Sequence, residues 1–319
     1  MRKNKNFIKL KGDASSRVFF RKKTKNLSSI VVYSKKDKKL NLLIYDAINK
    51  ILRQNHILAP KLLSQNYSKS YIEIQDLGNL TLLDILKKKN VNNKLIIFKK
   101  IINLLNKIQL IRQRKIKDFR KKTHKIRIYK KEKLYEEAKL FLDWYIPQKL
   151  SLSEQLVFKR KFLIILKNLI NKLNLKNDVF VHRDFHVSNL MLIDDNIGLL
   201  DSQDALIGNK AYDLASFIDD VRYKNPENIK KKIYNYYLKS QKKLNKKHFL
   251  NDFEIISVLR NLKIIGIFTR LAIRDNKKKY LKLIPHAWSL IKLRSKNYNK
   301  FGEFNNLLST FKLVKLNEN

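Results

Sequence analysis

The chain has 319 residues, of which 44% are hydrophobic and 10% aromatic, a composition that excludes a disordered protein and allows a sizeable core. The absence of cysteine excludes disulfide bonds and thiolate metal sites, and it agrees with a reducing compartment. The net charge of +44 comes from basic residues scattered along the whole chain, which favours a solvated surface over a nucleic-acid groove lined with aromatic residues.

The amino terminus and the apolar runs predict neither a secretory signal nor a membrane span. Residues 1–12, MRKNKNFIKLKG, are charged and lack the apolar stretch that a signal peptide needs. The apolar runs at 95–98 and 162–166 are short and bounded by lysine. We therefore expect a cytoplasmic protein without a membrane partner.

Short strands and one helix are predicted in the first part of the chain. Residues 17–21, 28–34 and 71–75 are rich in β-branched and aromatic residues, as strands are. Residues 41–53 have helical spacing, and Pro60 marks the exit from this helix.

The pattern changes after Gly78, where apolar residues recur every three to four positions. This spacing predicts amphipathic helices at residues 95–110, 129–142, 156–173, 229–244 and 253–274. The chain is thus predicted to contain a small β-rich lobe, residues 1–78, followed by a larger helical lobe, residues 79–319.

One strand signal interrupts the helical half. Residues 190–193 and 197–200 are apolar, and the favourable turn sequence Asp-Asp-Asn lies between them. If these runs pair as a hairpin, Asn189 and Asp201 lie side by side at its open end, so that two oxygen-bearing side chains meet there.

Residues 182–220 form an acidic island in an otherwise basic chain. The island contains two basic residues against eight aspartates, and carboxylate oxygens are hard ligands that favour Mg²⁺. We therefore expect cations to be held in this region. The aspartates are Asp184, Asp194, Asp195, Asp201, Asp204, Asp213, Asp219 and Asp220.

The segment VHRDFHVSNL, residues 181–190, carries the groups that phosphoryl transfer needs. That reaction requires a carboxylate that orients the attacking hydroxyl and oxygen ligands that hold Mg²⁺ against the phosphates. Asp184 is the predicted base, Asn189 and Asp201 are the predicted metal ligands, and His182 is expected to brace the loop. The alternative is that Asp184 and Asn189 only cap a loop and a turn.

Several segments together resemble the aminoglycoside phosphotransferase/choline kinase superfamily. These are HRDFHVSNLM at 182–191, LDSQDA at 200–205, Gly208 and YDLASF at 212–217. GDASSRVFF at 12–20 and QDLG at 75–78 are similar to the branch of bacterial N-acetylmuramate/N-acetylglucosamine kinases of cell-wall recycling. Further resemblance, in FLDWY and the 260–275 segment, extends the match to about Trp288.

The resemblance implies an α+β, two-lobed, protein-kinase-like fold with a small antiparallel amino-terminal lobe and ATP bound between the lobes. The 12–20 segment would cover the phosphates and the 75–78 segment would be the interlobe hinge. The residues implied in nucleotide binding are Gly12, Ser15, Ser16, Arg17, Gln75 and Leu77. Taken alone, GDAS is also an ordinary turn before a strand.

Several features depart from the kinase pattern. The strand lysine that binds phosphates has possible counterparts in Lys35 and Lys36, but both could equally be solvated strand ends. The helix that follows has no glutamate to pair with a lysine. Asp201-Ser202-Gln203 replaces the DFG triplet, and no APE segment is present, so a protein kinase is not expected.

Possible substrate residues lie near the catalytic segment or beyond it. Each of them could instead make a structural hydrogen bond or carry a surface charge. Asp213, at the start of a helical pattern, is expected to brace a loop. The substrate candidates are His186, Gln203, Asp204, Asp220 and Arg222.

The expected activity is ATP- and Mg²⁺-dependent phosphorylation of the anomeric hydroxyl of N-acetylmuramate or N-acetylglucosamine. A pathway nucleotidyltransferase that uses the sugar 1-phosphate is a possible partner, and nucleic acid is not expected as one. The alternatives are a kinase of the same superfamily acting on an aminoglycoside, choline or homoserine, and a catalytically idle kinase-fold scaffold.

Overall fold

The computed structural model describes residues 7–10, 17–24 and 27–313, which fold into two compact units. The first unit consists of Met1–Arg127 and Val179–Leu206, and the second consists of Ile128–Asp178 and Ile207–Asn319. The lobe boundary predicted near Gly78 lies inside the first unit and stays a prediction. None of the helices in the described ranges combines the length and the apolar content needed to cross a bilayer.

The secondary structure of the described residues alternates between short strands and longer helices. The strands are β1 Phe7–Lys9, β2 Val18–Lys23, β3 Ser28–Tyr33, β4 Leu62–Asn66, β5 Tyr71–Gln75, β6 Lys115–Lys117, β7 Thr123–Lys125, β8 Asn177–Val181, β9 Leu190–Ile193, β10 Asn196–Leu199 and β11 Leu206–Asn209. The helices are α1 Leu40–Gln54, α2 Leu82–Lys88, α3 Val91–Gln109, α4 Lys131–Leu140, α5 Leu152–Asn171, α6 Tyr212–Ile218, α7 Glu227–Lys239, α8 Lys246–Ile273, α9 Ile284–Arg294 and α10 Tyr298–Thr310.

The first unit contains a five-stranded antiparallel sheet in the order β1-β2-β3-β5-β4. Ile30 and Val32 of β3 stand opposite Ile74 and Ile72 of β5, and these four side chains are buried with Leu42 of α1. Alternate residues of a strand point to the same face, so this spacing builds one apolar face that α1 covers. The three predicted strands and the predicted helix are confirmed, with ends shifted by one or two residues.

The predicted hairpin is also confirmed in the first unit. Leu190 pairs with Leu199, and Ile193 pairs with Asn196, so the turn consists of two aspartates at 194 and 195. Both have a positive φ, of 43° and 64°, as a tight hairpin turn requires. The second strand is therefore Asn196–Leu199 and not residues 197–200, because the turn uses two residues instead of three.

The second unit is mainly helical and is organised around α8, which packs against α4, α6 and α9. Unlike a surface helix, α8 is buried on several sides, as at Ile255, Ile256 and Leu262. Gly266 lets α8 approach the backbone of Leu140 and of the single π-helical turn Phe141–Tyr145. Two segments that resembled the kinase superfamily are thus in contact.

All five predicted helices have different limits in the structure, and for three of them a capping or backbone hydrogen bond gives the reason. The 229–244 helix ends at Lys239, because Asn245 caps the next helix by accepting a hydrogen bond from the His248 N–H. That next helix, α8, therefore begins at Lys246 and not at 253. The 129–142 helix begins at Lys131, since the Tyr129 N–H donates to the Ile207 carbonyl at 2.7 Å.

Several elements were not predicted at all. The described helical half contains β6, β7, β8 and β11 besides the hairpin, so the expectation of one strand signal there was wrong. β6 and β7 read Lys-Ile-Lys and Thr-His-Lys, and three residues are too few to show an alternating pattern.

Candidate active site

The catalytic segment is a loop between β8 and β9 that closes on itself. The backbone carbonyl of Asp184 accepts hydrogen bonds from the His186 N–H and from the Asn189 Nδ2, both at 3.0 Å. Asp184 is half-buried, and its predecessor Arg183 adopts a left-handed φ of 75°. The structure thus brings Asp184 and Asn189 together and uses the amide nitrogen of Asn189 to fix the loop, which leaves its amide oxygen as the group suited to a cation. His182 is fully buried beneath this loop.

Asp201 follows the other end of the hairpin. The Leu200 N–H donates to the Asn189 carbonyl at 2.9 Å, so the residue before Asp201 pairs directly with Asn189. Asp201 itself has a left-handed φ of 62°, and its carboxylate is partly exposed. The proximity of Asn189 and Asp201 predicted from the hairpin is therefore present in the structure.

The Asp201 carboxylate forms an ion pair with Arg17, which also donates to Gln203 Oε1 at 3.0 Å. Arg17 is only 7% exposed, although an arginine side chain is normally solvated. Its guanidinium carbon lies 5.4 Å from the centre of the Phe19 ring and 5.6 Å from that of Tyr45. Two aromatic rings and two acceptors thus hold the guanidinium at the proposed metal ligand.

Helix α1 has no glutamate, but it contacts the segment after Asp201 through other polar groups. The Ser202 hydroxyl donates to Asn49 Oδ1 at 2.6 Å, and both residues are buried. Burial raises the pKa of Tyr45, one turn earlier in α1, to about 12, so its hydroxyl is neutral at physiological pH. Lys35 and Lys36, the possible counterparts of the phosphate-binding lysine, are exposed at a 3₁₀ turn after β3.

Gln203 and Asp204, two of the proposed substrate residues, already have protein partners. The Gln203 Nε2 donates to Asp204 Oδ2 at 3.0 Å, and the Arg183 Nη1 donates to the Asp204 carbonyl at 3.1 Å. Together with the bond from Arg17 to Gln203, these contacts connect Arg17 to the residue beside Asp184. His186, the third proposed substrate residue of this unit, is buried within the catalytic loop.

The segment predicted to be the hinge, residues 75–78, begins at the last residue of β5 and is called the linker below. Gln75 is exposed, and its N–H donates to the Lys61 carbonyl at 2.8 Å. Leu77 is buried, and its Cδ1 lies 3.0 Å from the position that a Cβ on Gly198 would occupy. The linker therefore packs directly against β10, and a side chain at Gly198 would push Leu77 away.

A clamp between Arg21 of β2 and Asp76 fixes the linker, and it was not predicted from the sequence. The Arg21 Nε and Nη2 donate to the two Asp76 oxygens at 2.6 and 3.0 Å, and Nη2 also donates to the Gly78 carbonyl at 2.8 Å. Gly78 has a φ of 93°, a conformation for which glycine is suited. A bidentate contact with a carboxylate needs the planar guanidinium group of arginine. The presence of an arginine in a chain dominated by lysine was therefore the one sequence signal that could have indicated this clamp.

We expect Asp76→Asn to lower the free energy of unfolding by about 1–3 kcal/mol, because it leaves the guanidinium of Arg21 poorly paired. Burial alone would raise the pKa of Asp76, but hydrogen bonds from Arg21, the Gly78 N–H and Ser28 outweigh it and lower the pKa below its ordinary 3.8. The ionised form thus stabilises the folded state above pH 3.8, and this contribution is lost as the pH falls through the lower folded-state value. Urea unfolding at several pH values measures the effect.

Asp275→Asn is the matched control for this prediction. Asp275 also accepts two hydrogen bonds from one arginine, Arg274, at 2.8 and 2.9 Å, but that arginine is exposed. We expect a clearly smaller change in stability, because solvent screens exposed ion pairs. The clamp would be contradicted if Asp76→Asn lowered the free energy of unfolding by no more than Asp275→Asn does. It would also be contradicted if the effect of Asp76→Asn were as large in acid as at neutral pH.

The remaining predicted site residues belong to the second unit or to segments that the structure does not describe. Asp213, Asp220 and Arg222 belong to the second unit, where Asp213 is fully buried at the start of α6. One oxygen of Asp220 accepts from the Arg222 N–H at 2.9 Å, and its other oxygen is buried. Gly12, Ser15 and Ser16 lie outside the described residues.

The acidic island does not form one cluster. Asp219 is used for an ion-pair network inside the second unit, with Lys230 and Arg294 both at 2.8 Å. Asp194 and Asp195 are the exposed turn of the hairpin. Within the described ranges, no group of three or more His, Asp or Glu side chains is arranged to hold a metal. Asp201 and Asn189, at the open end of the hairpin, carry a carboxylate and an amide, whose oxygens are hard donors that suit Mg²⁺.

Comparison with known proteins gives concordant matches over most of the chain. The sequence model of the phosphotransferase enzyme family matches residues 6–244. The N-acetylmuramate/N-acetylglucosamine kinase of Neisseria meningitidis serogroup B is 28% identical over 306 residues, which cover 93% of this chain and 87% of that protein. The kinase of the same name from Pseudomonas aeruginosa is 28% identical over 257 residues, covering 79% of this chain and 72% of that protein.

Solved structures show the same fold at lower sequence identity. The ADP-bound aminoglycoside phosphotransferase APH(2'')-Ib superposes with a TM-score of 0.60 at 15% identity, covering 89% of this chain and 92% of that one. A choline/ethanolamine kinase family protein from Mesorhizobium loti gives a TM-score of 0.61 at 10% identity, covering 97% and 92% of the two chains. These likenesses confirm the predicted kinase-like α+β fold.

Proposed function

The chain belongs to the phosphotransferase enzyme family, and from this membership we propose that it transfers the γ-phosphoryl group of ATP to the anomeric hydroxyl of an N-acetylated amino sugar. The relatives that are similar over most of the chain are named N-acetylmuramate/N-acetylglucosamine kinases, which supports an amino sugar as the acceptor. The observation that carries the reaction type is the closed loop of Asp184 and Asn189 beside Asp201.

Asp184 is the proposed catalytic base. Its carboxylate orients the sugar hydroxyl toward the γ-phosphorus and accepts the hydroxyl proton as the new P–O bond forms and the bond from this phosphorus to the leaving ADP breaks. The two hydrogen bonds to its backbone carbonyl hold the loop in one conformation, so that little orientation has to be gained when the substrate arrives. His182, buried below the loop, is proposed to support it from the interior.

Asn189 and Asp201 are the proposed ligands of Mg²⁺. The donor set fits this ion, because an amide oxygen and a carboxylate are the hard ligands that it prefers. When bound, the ion neutralises charge on the phosphates. Arg17 supplies a further positive charge beside Asp201.

The nucleotide is proposed to contact the linker at Gln75 and Leu77 and the segment that contains Gly12, Ser15, Ser16 and Arg17. The relative that was solved with ADP supports ATP as the phosphoryl donor. The clamp of Arg21 on Asp76 keeps the linker in place for this contact. Residues 1–78 would then form the nucleotide-covering lobe, and residues 79–319 the catalytic and substrate lobe.

The proposed substrate residues are all polar side chains. His186, Gln203 and Asp204 lie in the first unit, and Asp220 and Arg222 lie in the second, where Asp213 is proposed to brace the fold. The product, a sugar 1-phosphate, is the kind of compound that a nucleotidyltransferase consumes, and such an enzyme is the proposed pathway partner.

Phosphorus NMR after incubation with ATP, Mg²⁺ and single acceptors tests the proposal. We expect a sugar 1-phosphate signal with N-acetylglucosamine or N-acetylmuramate, and none with choline, homoserine or an aminoglycoside. The methyl glycoside of N-acetylglucosamine is the matched control, because its anomeric oxygen is blocked while every other hydroxyl remains. Phosphorylation of the methyl glycoside would contradict the anomeric acceptor. Transfer only to choline, homoserine or an aminoglycoside would contradict the sugar, and transfer to no acceptor would point to an idle scaffold.

A further inference from the structure

The ion pair between Arg17 and Asp201 joins a buried guanidinium to a partly exposed carboxylate of the first unit. Arg17 is 7% exposed, its guanidinium lies beside the rings of Phe19 and Tyr45, and it donates to Gln203 as well as to Asp201. Surface pairs exchange readily with solvent, but a buried guanidinium held by four groups has few other positions available.

This pair puts a cation on the carboxylate that is proposed to bind the metal. A divalent ion on Asp201 would share that carboxylate with the guanidinium, and two cations held at one carboxylate repel each other. The only acidic residue of α1, Asp46, is paired with Lys50 at 2.8 Å and does not take the role of the usual helix glutamate. Helix α1 contains no glutamate that could pair with Arg17 as a helix glutamate pairs with the strand lysine in other kinases.

We propose that Arg17 makes metal binding at Asp201 depend on nucleotide. Without nucleotide, the guanidinium neutralises Asp201 and keeps divalent ions off this carboxylate. With nucleotide, the phosphates bring the negative charge that attracts both the guanidinium and the ion, so that both cations are accommodated. Arg17 is then a positioning residue that ensures that the metal enters with the nucleotide, an inference that rests on the proposed function of this site.

The contacts of Gln203 extend this dependence to the catalytic loop. Arg17 donates to Gln203, which donates to Asp204, which in turn accepts from Arg183, the neighbour of Asp184. A shift of the guanidinium toward phosphate therefore removes one hydrogen bond from a chain that ends beside the proposed base. The arrangement of the loop is thereby coupled to the presence of nucleotide.

Manganese binding without nucleotide tests the proposal directly. Mn²⁺ is the probe, since its electron paramagnetic resonance signal is lost on binding, and the full-length protein is titrated with it. Arg17→Met is expected to bind Mn²⁺ about 5- to 150-fold more tightly than wild type, the usual range of coupling between two ligands. Arg17→Lys keeps the charge and should remain close to wild type. Arg17→Gln keeps the hydrogen bonding without the charge and replaces Arg17→Met if that variant fails to fold.

Two controls assign the effect to the Asp201 carboxylate. Arg53→Met removes another arginine of the first unit, a half-buried one that donates to the Pro60 carbonyl at 2.7 Å, but leaves Asp201 paired, so its Mn²⁺ affinity should equal that of wild type. Arg17→Met combined with Asp201→Asn should lose the gained affinity. The proposal is overturned if the charge-removing variants bind Mn²⁺ no more tightly than wild type, or if the gain survives Asp201→Asn.

A separate measurement distinguishes this inference from the proposed function. Wild-type protein is titrated with Mn²⁺ and ADP together, and the proposed function requires a ternary complex to form. Formation of this complex with equal Mn²⁺ affinities of wild type and Arg17→Met would overturn the role of Arg17 alone. Failure to bind ADP in any form would instead contradict the proposed kinase function, and the inference with it.

Discussion

Asp184→Asn is expected to reduce phosphoryl transfer by at least about 10²- to 10⁴-fold, the usual contribution of a positioned general base. The amide can still accept a hydrogen bond from the acceptor hydroxyl, but it cannot take up the proton. The fold should be unchanged, because the two hydrogen bonds that close the loop go to the backbone carbonyl of Asp184 and not to its side chain. Initial rates with saturating ATP measure the loss of phosphoryl transfer, and a thermal unfolding curve shows whether the fold is unchanged.

Asp194→Asn is the matched control for the Asp184 variant. It makes the same chemical change in the same region, but Asp194 is exposed in the hairpin turn. Its φ of 43° is a conformation that asparagine tolerates well. We expect the wild-type rate. Equal rates for wild type and Asp184→Asn would exclude Asp184 as the base, and a large loss in Asp194→Asn would show that any carboxylate in this region matters.

Gly266→Ala is expected to lower the free energy of unfolding by about 3 kcal/mol or more, at the upper end of what overpacking costs. A Cβ at this position would lie 2.3 Å from the backbone carbon and oxygen of Leu140 and 2.6 Å from the Phe141 nitrogen. A backbone cannot rotate out of the way as a side chain can, so α8 would have to separate from the π-helical turn. Chemical denaturation followed by circular dichroism measures the loss.

Gly302→Ala is the control that isolates this close approach. Gly302 is also a glycine inside a helix, α10, but its added Cβ would meet only the ring of Tyr298 at 3.2–3.3 Å. That ring is 68% exposed and can move. Alanine should therefore be neutral or stabilise by up to about 0.5–1 kcal/mol through its better helix propensity. If Gly266→Ala changed the free energy of unfolding no more than Gly302→Ala does, the close packing of α8 would be contradicted.

Local patterns predicted the hairpin well because its information lies within twelve residues. Apolar runs on both sides of a turn sequence specify which strands pair, and the pairing then brings Asn189 next to the residue before Asp201. The strands β3 and β5 and the helix α1 were predicted for the same reason, since their apolar spacing is strong and continuous. The ends of the longer helices were less well predicted. Single capping residues such as Asn245 decide where a helix begins, and they contribute little to the spacing of apolar residues.

The sequence contained no comparable signal for the contacts between distant segments. Arg17 and Asp201 are 184 positions apart, and Arg21 and Asp76 are 55 apart. With 71 basic and 27 acidic residues, a great many pairs are possible by charge alone. The division of the chain was equally hidden, since residues 179–206 join the first unit although they are flanked in sequence by segments of the second.

The amino-acid sequence alone determined the type of many elements and the hairpin between Asn189 and Asp201, and it predicted the catalytic segment, because these depend on spacing and turn chemistry within a few residues. Only the tertiary structure decided that a buried arginine neutralises Asp201, that a second arginine holds the linker, and that α8 needs a glycine at 266. Those features depend on which surfaces come into contact when the chain folds, and burial then selects one partner among many that the charges would allow.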